Sequence, residues 1–381
     1  MLKLLTIIGA RPQIIKSGAI SRAIQNKYSH LVNEVIVHTG QHYDPQMSAV
    51  FFEELGLPEP DYNLQVGSGK HGVQTAKMIV GIEEVIDVEK PDYLLIYGDT
   101  NSTLAGALAA AKLHVPIVHI EAGLRSFNKQ MPEEINRILS DHVSTYLFPP
   151  TETGYENLLN EGFHPDTLPP YTADNPGIFR VGDVMYDNSL YFSNVAAERS
   201  TILEREQLEP GAYVLATLHR NTNTDDAARL NAIFSALQSL ATTYAAKLVM
   251  PLHPRTRKQM AALLEPALYQ AISSTPAIIL LPPVSFLDMI RLEQHASLII
   301  TDSGGVQKEA YFFKKNCLIL RAETEWVEIV AAGAARLCDA NTERILEGFL
   351  AYSQTREGTF PLLYGHGQAA QSIIDILTRA V

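Results

Sequence analysis

The sequence predicts an α/β protein built from two domains, each a parallel sheet with helices on its faces. Three observations carry this reading. Short apolar runs alternate with longer amphipathic segments, the signature of βαβ units. The alternation is interrupted once and then starts again. The chain has 381 residues, and roughly 150 residues per domain predicts about two.

In the first half, Lys3–Ile8, Glu34–Thr39, Tyr93–Tyr97, Ile117–Ile120 and Thr145–Phe148 read as strands. Val73–Val88 and the alanine-rich Ser102–Leu113 read as helices between them. In the second half, strands are expected at Tyr213–Thr217, Lys247–Pro251, Ala277–Leu281, Leu298–Thr301 and Cys317–Leu320, with helices at Ala227–Tyr244 and Thr256–Leu264. Pro165, Pro169, Pro170, Pro176 and Gly177 break both periodicities, so the linker is placed there. The expected domains are 1–170 and 177–365. An amphipathic helix within 366–381 is expected to cross back onto the first domain.

Composition narrows the function. Hydrophobic residues make up 46% and charged residues 19%, a globular balance that disfavours disorder. A net charge of −12 argues against a nucleic-acid binder or a protein drawn to anionic lipid, but leaves room for a local cationic pocket. Two cysteines, Cys317 and Cys338, cannot form a disulfide framework or a four-thiolate zinc site, and Cys317 lies in an apolar run. The chain reads as cytoplasmic. No stretch reaches the roughly 18 to 20 apolar residues of a membrane helix, and Arg11-Pro12 stands where a signal peptide would have its cleavage site.

In doubly wound sheets ligands bind beyond the carboxyl ends of the strands. Those positions are polar here. They read Gly9-Ala10-Arg11-Pro12-Gln13 with Lys16, Gly40-Gln41-His42, Gly98-Asp99-Thr100-Asn101-Ser102 and Glu121-Ala122-Gly123-Leu124-Arg125. The second half adds His219-Arg220-Asn221, His253-Pro254-Arg255 and Asp302-Ser303-Gly304-Gly305. Loops of this kind on two domains suggest a cleft lined from both sides. Ser303-Gly304-Gly305 reads either as a phosphate site at a helix N-terminus or as a plain strand-to-helix turn. Arg11, Lys16 and Arg125 supply cations suited to a diphosphate. Each taken singly also reads as a solvated surface charge.

Asp99, Glu121, Glu133, Glu134 and His219 are the acid/base candidates, since a carboxylate directly after an apolar strand is half-buried and its pKa rises. Glu133-Glu134 after Pro132 also fits a dipole-stabilised helix start. His119-Xaa-Glu121 could touch a metal, but no companion motif completes a site, and none is expected. Neither a Gly-Xaa-Gly-Xaa-Xaa-Gly fingerprint nor a Walker A lysine motif is present, so neither nicotinamide nor ATPase chemistry is expected.

These motifs, with Thr39-Gly40-Gln41-His42, Pro132-Glu133-Glu134-Ile135-Asn136-Arg137 and Thr301-Asp302-Ser303-Gly304-Gly305-Val306-Gln307-Lys308-Glu309, resemble the non-hydrolysing UDP-N-acetylglucosamine 2-epimerase family over nearly the whole chain. The resemblance implies the two-domain glycosyltransferase-B fold, a UDP-sugar substrate, a homodimer and no cofactor. It implies catalytic roles for Asp99, Glu121, Glu133 and His219. It assigns UDP or substrate binding to Arg11, Lys16, Gln41, His42, Arg125, Arg137, His253, Phe286, Ser303, Gly304, Gly305, Glu309 and Arg321, with Glu309 on the ribose hydroxyls.

Two departures stand out. Thr222 replaces the glutamate of the family's His-Arg-Xaa-Glu-Asn run. Thr324-Glu325-Trp326-Val327-Glu328 stands where many members have Thr-Glu-Arg-Pro-Glu. The Trp326 variant resembles the branch acting on UDP-2,3-diacetamido-2,3-dideoxyglucuronate for O-antigen synthesis. The implied reaction is elimination of UDP to a 2-acetamidoglucal and re-addition with a proton on the other face of C2. A hydrolysing relative, a glycosyltransferase and an inactive UDP-sugar sensor are the alternatives.

Overall fold

A computed structural model describes residues 1–41, 56–354 and 359–379. The chain divides into two compact units, one of Met1–Asn188 with Leu362–Val381 and one of Ser189–Pro361.

The first unit holds a seven-stranded sheet. Its strands are β1 (Leu2–Ile8), β2 (Val32–His38), β3 (Tyr62–Asn63), β4 (Tyr93–Tyr97), β5 (Ile117–Ile120), β6 (Tyr146–Phe148) and β7 (Gly177–Ile178). The order is β3-β2-β1-β4-β5-β6-β7, and every pairing is parallel. Parallel strands covered on both faces must be apolar throughout, and the burial of Tyr93 to Tyr97 follows that rule. On one face Leu5, Ile7, Val37, Leu94 and Ile96 pack on Met78, Ile82 and Ile86 of the helix His71–Glu89 and on alanines of the helix Asn101–Lys112. Each fully buried large aliphatic side chain of this kind contributes about 1.5–3 kcal/mol. The C-terminal helix Ala369–Arg379 belongs to this unit, with Ile373, Ile374 and Leu377 buried and Asp375 accepting the Tyr28 hydroxyl at 2.8 Å.

The second unit repeats the plan with six strands, β8 (Val214–Thr217), β9 (Leu248–Pro251), β10 (Ile278–Leu281), β11 (Leu298–Thr301), β12 (Cys317–Ile319) and β13 (Ala335–Leu337). Their order is β10-β9-β8-β11-β12-β13, again parallel throughout. Leu230, Ile233, Phe234 and Leu237 of the helix Ala227–Thr243 pack on Val214, Met250 and Ile300. Cys317 and Cys338 are buried free thiols, and burial pushes both up.

Both sheets reverse strand order at one point, between β1 and β4 and between β8 and β11. That reversal opens a crevice at the carboxyl ends of the two strands. Two boundaries differ from the sequence reading, the return to the first unit at Leu362 by only a few residues. The proline-rich stretch leads into β7, which pairs with β6, so the chain through Asn188 belongs to the first unit. The division then falls inside the helix Val184–Arg199.

Candidate active site

In the first unit the β1 loop is stitched to the end of β4 by Gln13. Its Oε1 accepts the N–H of Gly9 at 2.9 Å and of Ala10 at 3.2 Å. Its Nε2 donates to the Tyr97 carbonyl at 3.1 Å and to Thr103 Oγ1 at 3.0 Å. Gly9 has to be glycine, because a Cβ there would lie 2.1 Å from both Thr39 Oγ1 and Ser102 Oγ. Arg11 begins the helix Arg11–Ala23 and is exposed, whereas Lys16, one turn on, is buried.

Lys16 Nζ meets Glu121 Oε1 at 2.5 Å. Both atoms lie against Gly98, where a Cβ would be 3.1 Å from Nζ and 3.3 Å from Oε1. Glu121 leaves β5 at φ +68°. That left-handed conformation is uncommon outside glycine and is often held at functional positions.

Asp99 is half-buried and bonded through its carboxylate to Arg137 Nη2. Burial pushes its carboxyl up, Arg137 and Lys16 oppose that, and Glu121 and Glu133 reinforce it. The residues that act on Asp99 are therefore those expected to share its site. A carboxyl raised by burial holds its proton more tightly than an exposed one, which suits a proton-transfer group.

The helix Pro132–His142 supplies a pair of glutamates with different fates. Glu133 is exposed. Glu134 is buried and accepts the N–H of Ser126 at 2.9 Å and of Phe127 at 2.8 Å, with Arg137 Nη1 at 3.0 Å. Burial opposes ionisation of Glu134, but these donors hold its carboxyl below the usual range. Arg137 thus bridges Glu134 and Asp99, while Asn136 Nδ2 donates to the Asp99 carbonyl at 2.8 Å.

A fully buried network sits beneath. His119 places Nδ1 2.7 Å from Asp141 and Nε2 2.8 Å from the Gly98 carbonyl. Asp141 also accepts the Gly123 N–H at 3.0 Å and Arg125 Nη1 at 2.8 Å. Arg125, expected as a ligand cation, has 1% of its side chain exposed, and its Nε and Nη2 bind Glu161 at 2.7 and 2.6 Å. Its charge is answered inside the unit. Gln41 Oε1 accepts the Ser102 N–H at 3.1 Å and the Ser102 Oγ–H at 2.8 Å. His42 lies outside the described residues.

In the second unit Ser303 caps the helix Gly304–Phe312, its Oγ accepting the Val306 N–H at 3.5 Å. A Cβ on Gly304 would fall 2.4 Å from Glu325 Oε1, while Gly305 is exposed and nearly open. Glu309, in the second turn of that helix, is half-buried. Arg321 donates to Glu325 at 2.9 Å. Trp326 is buried with Lys308 Nζ 4.0 Å from its ring centre. His253 is exposed and caps its helix, Nδ1 accepting the Arg255 N–H at 3.2 Å. Phe286 is a buried core ring, edge-on to Phe192 at 5.1 Å.

His219 is about half exposed and faces Asp302. Arg220, whose support was in question because Thr222 replaces a glutamate, has its backbone N–H on Asp302 at 2.9 Å. Thr222 itself is exposed. Gln13, Asn136 and Asp302 stand within the sequence motifs but carry no role there, and Asp141 lies outside them. Asp302 follows an apolar strand as Asp99 does, so the same rule could have found it.

Two Rossmann-like units, each with charged groups at its switch point, define the glycosyltransferase-B architecture. A UGT transferase from Siraitia grosvenorii, solved in complex with UDP, shares this fold at 12% identity and a TM-score of 0.60. The model of the UDP-N-acetylglucosamine 2-epimerase family matches residues 24–378, and the chain belongs to that family, an isomerase acting on carbohydrates. It is 46% identical over 377 residues to a UDP-N-acetylglucosamine 2-epimerase homolog of Methanococcus maripaludis, covering 99% of both chains. It is 47% identical over 378 residues to the UDP-2,3-diacetamido-2,3-dideoxy-D-glucuronate 2-epimerase of Pseudomonas aeruginosa, covering 99% of this chain and 100% of that one. The Methanocaldococcus jannaschii UDP-GlcNAc 2-epimerase, solved with UDP-GlcNAc and UDP, superposes with a TM-score of 0.84 at 40% identity, covering 99% and 100%. Among the described residues no helix is long and apolar enough to cross a membrane.

Proposed function

We propose that the chain inverts C2 of a UDP-2-acetamido sugar by eliminating UDP and adding it back. The observation that carries this is the grouping of Asp99, Glu121 and Glu133 around Lys16 and Arg137 at the end of one sheet. A carboxylate takes the C2 proton, the C1–O bond breaks with its electron pair going to the diphosphate, and a C1=C2 double bond forms. Return of UDP with a proton on the opposite face of C2 gives the epimer. Two faces need two groups of different proton affinity. Asp99, raised by burial, suits the acid, and Glu121, ion-paired to Lys16, suits the base. Glu133 and His219 complete the set implied by the resemblance.

UDP binding is assigned to Arg11, Lys16, Ser303, Gly304, Gly305 and Glu309. The helix start after Ser303 offers unpaired N–H groups to phosphate, and charge absorbed there makes UDP a better leaving group. Gln41, His42, Arg137, His253 and Arg321 are assigned to the substrate side. Arg125 and Phe286 act from the interior as supports.

The preferred substrate is UDP-2,3-diacetamido-2,3-dideoxyglucuronate, supported by the Pseudomonas relative and by Trp326. Conversion of UDP-GlcNAc to UDP-ManNAc is the alternative reading, supported by the ligand of the jannaschii structure. Surface-polysaccharide synthesis in the cytoplasm is the accompanying role. A homodimer is proposed, and Val73, Val80, Ile135 and Leu139, exposed on two helices of the first unit, support it.

The test is turnover of each sugar in D₂O followed by NMR. Deuterium at C2 of the epimer, with UDP still attached, supports the mechanism. Full retention of the C2 hydrogen would falsify it, and release of UDP with free sugar would favour the hydrolysing alternative.

A further inference from the structure

The loop after β8 hangs on one carboxylate. Asp302 follows β11 directly, and its side chain is 0% exposed. Its oxygens accept the His219 N–H at 3.1 Å, the Arg220 N–H at 2.9 Å and Asn223 Nδ2 at 3.2 Å. Asn223 is anchored in turn. Its Nδ2 also donates to the Leu320 carbonyl at 2.9 Å, and its Oδ1 accepts Arg229 Nε and Nη2 at 3.0 and 2.9 Å. Arg229 pairs with Asp339 at 2.5 Å. This chain of contacts fixes the carboxylate in place from behind.

One contact on Asp302 has no such structural need. His219 Nδ1 lies 3.1 Å from Oδ1, yet 48% of the histidine side chain is exposed, so water could satisfy that nitrogen. An exposed ion pair contributes little to stability. A ring that turns about its χ angles and exchanges tautomers in water gains orientation from a fixed acceptor at one nitrogen.

We propose that Asp302 is a positioning residue for catalysis, holding the His219 ring with Nδ1–H on the carboxylate and Nε2 directed to the ligand. This rests on the assignment of His219 to the reaction made above. Burial opposes ionisation of Asp302, but its bonds from His219, Arg220 and Asn223 keep its carboxyl below the ordinary range. It therefore stays an acceptor across the pH range in which the enzyme would work. The arrangement follows the logic of a carboxylate that sets histidine tautomer and orientation without itself taking the proton.

The experiment is a double-mutant cycle on the full chain. Asp302→Asn is expected to lower kcat about 10²-fold, with Kd for UDP changed less than about threefold. In a His219→Asn background the same substitution is expected to change kcat by less than about threefold, because the group it acts through is gone. Equal losses in both backgrounds would mean a structural role and overturn the proposal, as would an unchanged kcat. If His219→Asn alone leaves kcat intact, the prior assignment of His219 fails, and with it this use of Asp302. Should Asp302→Asn not fold, ¹⁵N NMR of the histidines in the wild-type chain decides. A neutral His219 protonated at Nδ1 supports the proposal, and one protonated at Nε2 overturns it.

Discussion

Asp141→Asn tests how much the buried network of His119, Arg125 and Asp141 stabilises the first unit. Asp141 is 0% exposed and meets three donors, His119 Nδ1 at 2.7 Å, Arg125 Nη1 at 2.8 Å and Gly123 N–H at 3.0 Å. An amide keeps the shape but removes the charge opposite a buried guanidinium. Breaking a buried pair by removing one partner costs about 3–5 kcal/mol. At roughly 2–4 °C per kcal/mol for a unit of this size, the unfolding transition of the first unit should fall by about 6–20 °C. The second unit carries none of these residues, so its transition should stay within about 2 °C. Calorimetry reads both. The sign with pH is fixed by the direction of the shift. Burial raises the Asp141 carboxyl, but His119 and Arg125 outweigh it, and the net position is below the ordinary value of 3.8. Its stabilisation is therefore present above about pH 4 and is lost as pH falls through the lower, folded value. The gap between wild type and variant should close in acid. A shift of less than about 2 °C at pH 7, or an equal fall in both transitions, would refute the reasoning.

Other outcomes are expected. Asp99→Asn, Glu121→Gln and Glu133→Gln should each lower kcat about 10² to 10⁴-fold while Kd for UDP, measured by calorimetry, changes little; near-normal rates in all three would sink the assignment. Asp187 accepts the N–H groups of Ala369 and Ala370 at the start of the C-terminal helix, and burial raises its carboxyl to about 6 from 3.8. The fold therefore binds that proton more tightly, and the stability it adds below about pH 4 is lost as pH rises through 6, roughly 2–3 kcal/mol in all; urea titrations at pH 4 and 7 should show this slope flattened in Asp187→Asn. Gly9→Ala should cost more than about 2 kcal/mol, because its Cβ would collide with Thr39 and Ser102, and an unchanged melting temperature would contradict the packing. The ratio of kcat/KM for the diacetamido uronate over UDP-GlcNAc should exceed one, and a tenfold preference the other way, about 1.4 kcal/mol, would reverse the substrate choice.

The parallel strands were legible because strands covered on both faces become unbroken apolar runs. Tyr93–Tyr97, Ile117–Ile120 and Leu298–Thr301 fall where the sequence puts them. The edge strands Tyr62–Asn63, Gly177–Ile178 and Ala335–Leu337 are two or three residues long and have no period to detect. The proline-rich stretch and the division after Asn188 do not coincide, because proline density marks irregular backbone rather than the end of a compact unit. The division falls within the helix Val184–Arg199, whose regular composition gives no sign of it.

The site was legible as a set of loops but not as a set of roles. A charge after a strand can face a ligand or a buried partner, and the partner is distant in sequence. Arg125 has the sequence context of a ligand cation, but Asp141 and Glu161 close on it. Glu133 and Glu134 share one motif, yet backbone donors saturate Glu134 and leave Glu133 exposed. The same distinction sorts the other carboxylates. Asp141 and Asp302 each gather three or more donors in full burial, which suits a fixed acceptor and works against a group that must exchange a proton. Asp99 combines partial exposure with neighbours of both signs, the setting expected for the proton transfer proposed for it. Side-chain saturation, which the sequence does not encode locally, separates the carboxylates proposed to move protons from the fixed acceptors.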